Sequence, residues 1–137
     1  MFVEIDFNSE EAIYIQLRNQ IVIGIAAEEI QEGESLPSVR ELADNIGINM
    51  HTVNKAYSIL KQEGYLQLDR RKGAIIAIDP EKYDAKLAMM EDMRVILAEG
   101  ICKDITCEEV HQIIDLIFGE FKKGSPIDNH NGGKINV

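Results

Sequence analysis

Apolar positions along the chain fall into two rhythms. Ile13, Leu17, Ile21 and Ile25 recur every four residues, the spacing of one helix face. Asn8 stands three residues before Glu11, a capping-box-like spacing that predicts a helix start there and a run to about Glu29. Gln31 to Ser35 reads as a loop. Pro37 disfavours helix before it, so Ser38 is the expected N-cap of a short second helix, with Glu41 three residues on. Gly47 suits the position just past that helix. Asn49 then caps a third helix, with Val53, Ala56, Tyr57 and Leu60 as its buried stripe and Gly64 at its end.

The rhythm next shortens. Tyr65–Leu68 and Ala74–Ile78 read as strands, and Asp69-Arg70-Arg71-Lys72-Gly73 as the tip between them. Asp79-Pro80 predicts a cap followed by a first-turn proline, opening a fourth helix that runs to about Glu99, with Gly100 near its end. Thr106 and Glu109 form a capping box for a fifth helix, whose Val110, Ile113, Ile114, Ile117, Phe118 and Phe121 share one wide face. Helix, helix, tight turn, helix and hairpin is the order of a winged helix-turn-helix, the turn being Ile46-Gly47-Ile48-Asn49. The expected fold is mainly α with a small β wing: a winged domain over residues 1–78, two C-terminal dimerisation helices over 79–123, and an unstructured tail over 124–137.

Length and composition leave that picture standing. A chain of 137 residues, 45% hydrophobic and 28% charged, is one soluble globular domain's worth. No apolar run approaches the ~20 residues of a membrane helix, and no secretory leader is expected at Met1–Asp6. Two cysteines, Cys102 and Cys107, make no disulfide framework. A cytoplasmic protein is expected. Charge sharpens the picture. The net charge of −10 argues against indiscriminate binding to nucleic acid or to an anionic membrane. Yet residues 37–79 hold six bases against five acids, while the segments on either side are strongly acidic. Any polyanion contact belongs in that middle strip.

Particular residues then narrow the class. Leu36-Pro37-Ser38-Val39-Arg40-Glu41-Leu42-Ala43, Ile46-Gly47-Ile48, Thr52-Val53, Ala56-Tyr57, Leu60, Glu63-Gly64 and Leu66 resemble the GntR family of bacterial transcription regulators. Tyr14-Ile15-Gln16-Leu17, with Gln20-Ile21 and Gly24-Ile25, looks like that family's first helix. The resemblance covers residues 14–76. About 58 residues follow the wing, too few for most of the family's effector domains, and the two helices there resemble the short YtrA-like subfamily, which dimerises through them. The resemblance implies a homodimeric regulator, a repressor in the first instance, on a double-stranded DNA operator with inverted-repeat half-sites. It also implies that Arg40 reaches DNA and that Thr52 touches phosphate or a base edge.

Physical chemistry adds roles beside these. A guanidinium such as that of Arg40 can grip guanine O6/N7 or a phosphate, and its competing role is an ion pair with Asp44 four residues on. The N-terminus that Ser38 caps is a phosphate seat. Met50, His51, Thr52, Asn54 and Lys55 are the expected outward residues at the start of the third helix. Asn54 can pair with adenine and Met50 can meet a thymine methyl. Many relatives are basic around these positions, where this sequence has Met50, His51 and Asn54, so the resemblance does not say which bases are read. Arg70, Arg71, Lys72 and Gly73 form the wing tip, which suits phosphate or minor-groove contact or simply keeps an edge hairpin soluble. Arg71 replaces a glycine usual in the family's wing.

The last helices carry more apolar surface than one helix pair covers. Leu87, Met90, Met93 and Leu97, with Ile113, Ile114, Ile117, Phe118 and Phe121, are the expected dimer interface. Cys107, Glu108, His111 and Asp115 lie at helical spacing near Cys102, which keeps a metal- or redox-sensing regulator open as a reading, although no dense ligand cluster exists. A thiol on a helix, like the Met89, Met90 and Met93 group, more often packs. A winged-helix module for protein interaction is the other alternative, favoured by the acidic total and opposed by the basic wing. No nucleophile–base–acid set, phosphate-cradling loop or metal motif occurs, so no enzyme, cofactor or metal is expected. No residue set names a small-molecule effector.

Overall fold

A computed structural model of the protein describes residues 3–81 and 84–121. Its elements are α1 (Ile13–Ala26), α2 (Val39–Ile46), α3 (Met50–Gln62), β1 (Leu66–Asp69), β2 (Gly73–Ile76), α4 (Ala85–Cys102) and α5 (Cys107–Glu120). They fall into two compact units, Met1–Tyr83 and Asp84–Val137. The expected tail at 124–137 lies outside the described residues, as does Tyr83.

In the first unit, Leu17 and Ile21 of α1 are fully buried against the stripe expected on α3, in which Val53, Ala56, Tyr57 and Leu60 are all buried. Leu42 and Ala43 of α2, Leu66 of β1, Ala74 and Ile76 of β2, and Ile30 and Leu36 between α1 and α2 complete the core. Gly24 is where Ile30 crosses α1. A Cβ there would come within 2.8 Å of the Ile30 Cδ1 atom.

Helix α1 starts later than the Asn8/Glu11 spacing predicts. Its N-cap is Ala12, without a side-chain cap. Asn8 and Glu11 spend their backbone N–H groups instead on Asp6 Oδ1 (2.9 Å) and Ser9 Oγ (3.0 Å). Two glutamines of α1 hold the preceding arm by its backbone. Gln16 Oε1 accepts from the Asp6 N–H (2.9 Å), and its Nε2 donates to the carbonyls of Asp6 (3.0 Å) and Glu11 (2.9 Å). Gln20 exchanges two hydrogen bonds with the backbone of Glu4 in the same manner. The end of α1 also differs, at Ala26 rather than Glu29, because Glu28 turns left-handed (φ 60°) and Glu29 and Ile30 both donate back to the Gly24 carbonyl.

The hairpin pairs Leu66 with Ile76 and closes at Asp69 opposite Gly73, so Arg70-Arg71-Lys72 is its three-residue tip. Part of the expected loop at Gln31–Ser35 is strand-like. Ser35 bridges antiparallel to Ile75, Leu36 donates to the Ala74 carbonyl (2.8 Å), and Ile76 donates to the Glu34 carbonyl (2.9 Å). This shields the outer edge of β2, which would otherwise carry unpaired backbone groups.

In the second unit the fourth helix does not begin at Asp79-Pro80. Asp79 makes a local turn, its Oδ1 accepting from the Glu81 N–H (3.1 Å), and its own N–H donates to the Gly64 carbonyl (2.8 Å). Asp84 caps α4 instead, accepting from the Leu87 N–H (3.1 Å). Helix α4 continues through Gly100 to Cys102, and the turn falls to Asp104, left-handed at φ 62°. The Thr106/Glu109 capping box of α5 is present with both its bonds. Neither α4 nor α5 buries a residue. Met93 and Leu97 on α4, and Val110, Ile113, Ile114, Ile117 and Phe121 on α5 and its cap, are half-buried, whereas Leu87, Met89, Met90, Ile96 and Phe118 are exposed.

Candidate nucleic-acid interface

The α2–turn–α3 piece is fixed by side chains at each joint. Ser38 Oγ accepts from the Glu41 N–H (3.1 Å), so α2 starts at a capped N-terminus. Its end is set by Gly47 at φ 76°, a left-handed conformation that glycine adopts without strain. Two residues later Asn49 caps α3, its Oδ1 accepting from the His51 N–H (2.7 Å). Behind the turn the Tyr57 hydroxyl donates to the Pro37 carbonyl (2.7 Å), tying α3 to the entrance of α2. Burial, and then the charge of Glu41, push the Tyr57 phenol well above its ordinary range, so it stays protonated as a donor.

Apolar packing of one side of α3 turns its other side outward. Met50, His51, Asn54 and Lys55 are exposed, and Thr52 is half-buried. Met50, His51 and Asn54 share a shallow depression of about 660 Å³ with Val39 and Asn49. It combines an apolar floor with amide and imidazole groups, which suits the edge of a base pair carrying both a methyl and hydrogen-bonding atoms. Arg40, next to Val39, is exposed. It forms no ion pair with Asp44, because among the described residues the salt bridge is that of Arg18 with Glu63. Lys55 goes elsewhere, its ammonium lying 4.0 Å from the centroid of the Tyr14 ring.

The wing tip has its own organiser. Asp69 Oδ1 accepts from the N–H groups of Arg71 (2.7 Å) and Lys72 (3.0 Å). These two bonds hold the Asp69 carboxyl below its ordinary value. With Gly73 left-handed at φ 77°, they shape a tip on which Arg70, Arg71 and Lys72 are all exposed. Asp69 and Tyr14 are absent from the sequence-based set of site residues. An Asp two residues before an arginine in a tight turn is a readable signal for the first. Nothing in the spacing of residues 14 and 55 signals the second.

Residues 10–76 match the family described as bacterial regulatory proteins, gntR family. The chain is also 30% identical, over 92% of its length and 99% of the relative's, to the HTH-type transcriptional repressor YtrA of Bacillus subtilis (strain 168). The chain belongs to the GntR family. Among solved structures, this GntR protein is similar to YtrA from Sulfolobus acidocaldarius, a GntR-family transcription factor, at 33% identity and TM-score 0.54 over 86% of this chain and 97% of that one. It is similar also to a transcriptional antiterminator from Listeria monocytogenes EGD-e, at 28% identity and TM-score 0.78 over 88% and 92%. The GntR chain is thus a winged-helix DNA-binding transcription regulator of YtrA-like build. Among its described residues no group of three His, Cys, Asp or Glu side chains could hold a metal, and Cys102 and Cys107 are exposed free thiols. No described helix is long and apolar enough to cross a membrane.

Proposed function

We propose that this regulator is a cytoplasmic homodimeric repressor that occupies an inverted-repeat operator and acts sterically, without catalysis. Helix α3 enters the major groove of each half-site, presenting Met50, His51, Thr52, Asn54 and Lys55. Arg40 and the Ser38-capped start of α2 reach the flanking edge, and Arg70, Arg71, Lys72 and Gly73 of the wing hold the adjacent backbone. The observation that carries this reading is the exposed Arg40, without an ion pair among the described residues, beside the depression formed by Val39, Asn49, Met50, His51 and Asn54.

Dimerisation rests on the second unit. Two helices without a single buried residue, exposing Leu87, Met90 and Phe118 beside half-buried Met93, Leu97, Ile113, Ile114, Ile117 and Phe121, need a further surface, and a second copy supplies it symmetrically. An obligate interface of this kind buries on the order of 2,000 Å² or more. The repressor role follows the name of the Bacillus subtilis relative. Selection of bound sites from random DNA, followed by sedimentation of the free protein and the complex, tests the whole proposal. A palindrome bound by two chains supports it. Failure to enrich any sequence, or a monomer at micromolar concentration, overturns it.

A further inference from the structure

Lys55 lies in the second turn of α3 and is exposed, yet its ammonium has a seat. It rests over the Tyr14 ring of α1, 4.0 Å from the centroid. Tyr14 is half-buried, and its hydroxyl makes no hydrogen bond among the described residues, so what it offers Lys55 is the face of its ring. One turn along α1, Arg18 provides a contrast. Its guanidinium is half-buried and gives two bonds to the Glu63 carboxylate, at 3.0 and 3.1 Å, while lying 5.6 Å over Tyr65. Glu63 raises the Arg18 pKa further still. That pair is a brace between α1 and α3 with its donors engaged.

Among the described residues the Lys55 seat leaves its donors open. Attraction to a ring face acts on the charge and consumes no N–H group, so the ammonium can hold the ring on one side and an anion on the other. A carboxylate at position 14 would have to be displaced by an incoming phosphate, whereas a ring need not be. A free lysine stem also loses rotamer freedom when it grips a phosphate, and a stem already held has lost part of it beforehand. We infer that Tyr14 is a positioning residue for DNA binding, holding the Lys55 ammonium ready for a backbone phosphate beside α3. The inference rests on the operator-binding reading of α3 given above.

The test is affinity for a random-sequence duplex across a salt series, since a phosphate contact needs no particular sequence. Lys55→Gln is expected to flatten the slope of log affinity against log salt by about 0.9 per lost phosphate contact. Tyr14→Phe keeps the ring and is expected to bind as the native chain does. Tyr14→Leu is expected to weaken binding about two- to five-fold, the scale of an exposed cation–ring contact, and to lose that effect in the Lys55→Gln background. Pentafluorophenylalanine in place of Tyr14 keeps the shape and reverses the polarity of the ring face, so it is expected to behave as Tyr14→Leu even if the leucine variant folds poorly. Unchanged or tighter binding with the fluorinated ring overturns the inference, as does equal weakening in the Lys55→Gln background. If Lys55→Gln leaves the slope intact, the placement of α3 on DNA falls as well, whereas a flattened slope with a neutral fluorinated ring removes only the role of Tyr14.

Discussion

Arg40 leaves the first turn of α2 exposed, with no ion pair among the described residues to hold it back. Removing it therefore costs the fold little and the proposed complex much. Arg40→Ala is expected to weaken operator binding by roughly 1–3 kcal/mol while circular dichroism and melting temperature stay unchanged. Asp69 is the opposite kind of residue, working on its neighbours' backbone. Its carboxyl is depressed by the N–H groups of Arg71 and Lys72, so the folded wing favours the anion. That contribution is complete above the unfolded value of about 3.9 and is lost as pH falls through the lower folded value. A carbon-detected NMR titration is expected to find the Asp69 midpoint below 3.9, with the Arg71 and Lys72 amide signals shifting in the same step. A midpoint at or above 3.9 would remove the carboxylate from its role in the tip. Arg40 was legible as a candidate because its neighbours form a recognisable string. Tyr14 was not, because the 41 positions separating it from Lys55 are closed only by the packing of α1 on α3.

Elements were legible where a side chain itself satisfies the orphan groups of a helix end. Ser38, Asn49 and Thr106 each cap the helix they precede, and Gly47 ends α2 where its φ of 76° is needed. The misplaced starts have the same origin. Asn8 and Asp79 belong to good capping types, but local turns win at both places: Asp6 Oδ1 takes the Asn8 N–H, and Asp79 Oδ1 takes the Glu81 N–H. At Ala12 the residue has no capping side chain, and the arm before it is held by Gln16 and Gln20 from within the helix, a signal no cap rule contains. The strand-like piece at Glu34–Leu36 is equally silent, since three residues carry no readable alternation. The eight-residue α2 depends on both of its ends. Ser38→Ala is expected to cost about 1 kcal/mol for the lost cap. Gly47→Ala is expected to cost roughly 1–2 kcal/mol, and by conformation alone, because an added Cβ would meet nothing within 4 Å. Thermal melts of the two variants check both figures, and an unchanged Gly47→Ala would mean that the turn relaxes.

At the scale of the molecule, the first unit has a well-filled core and the second is a pair of helices with no fully buried residue. The proposed role of the second unit makes Phe118 the sharper probe. Ile117 is half-buried and its loss would disturb the fold of α5, whereas Phe118 is 75% exposed. Phe118→Asp is expected to yield monomers in sedimentation velocity with the helix content of the first unit retained, and to lose operator affinity because the half-sites are no longer held together. A dimer that survives the change would move the interface off this face. The tip at Arg70–Lys72 is only three residues long, and the chain carrying it has a net charge of −10. A genome offers on the order of 10⁶–10⁹ competing sites, and residence on them is governed by long-range attraction. On the proposed reading, a chain of net charge −10 whose duplex contacts are a short tip and one helix face is expected to hold bulk DNA only weakly, with little sliding or loose storage there. Such a regulator is expected to stay in free solution between visits to the proposed operator, so that occupancy there follows copy number with little buffering by the chromosome.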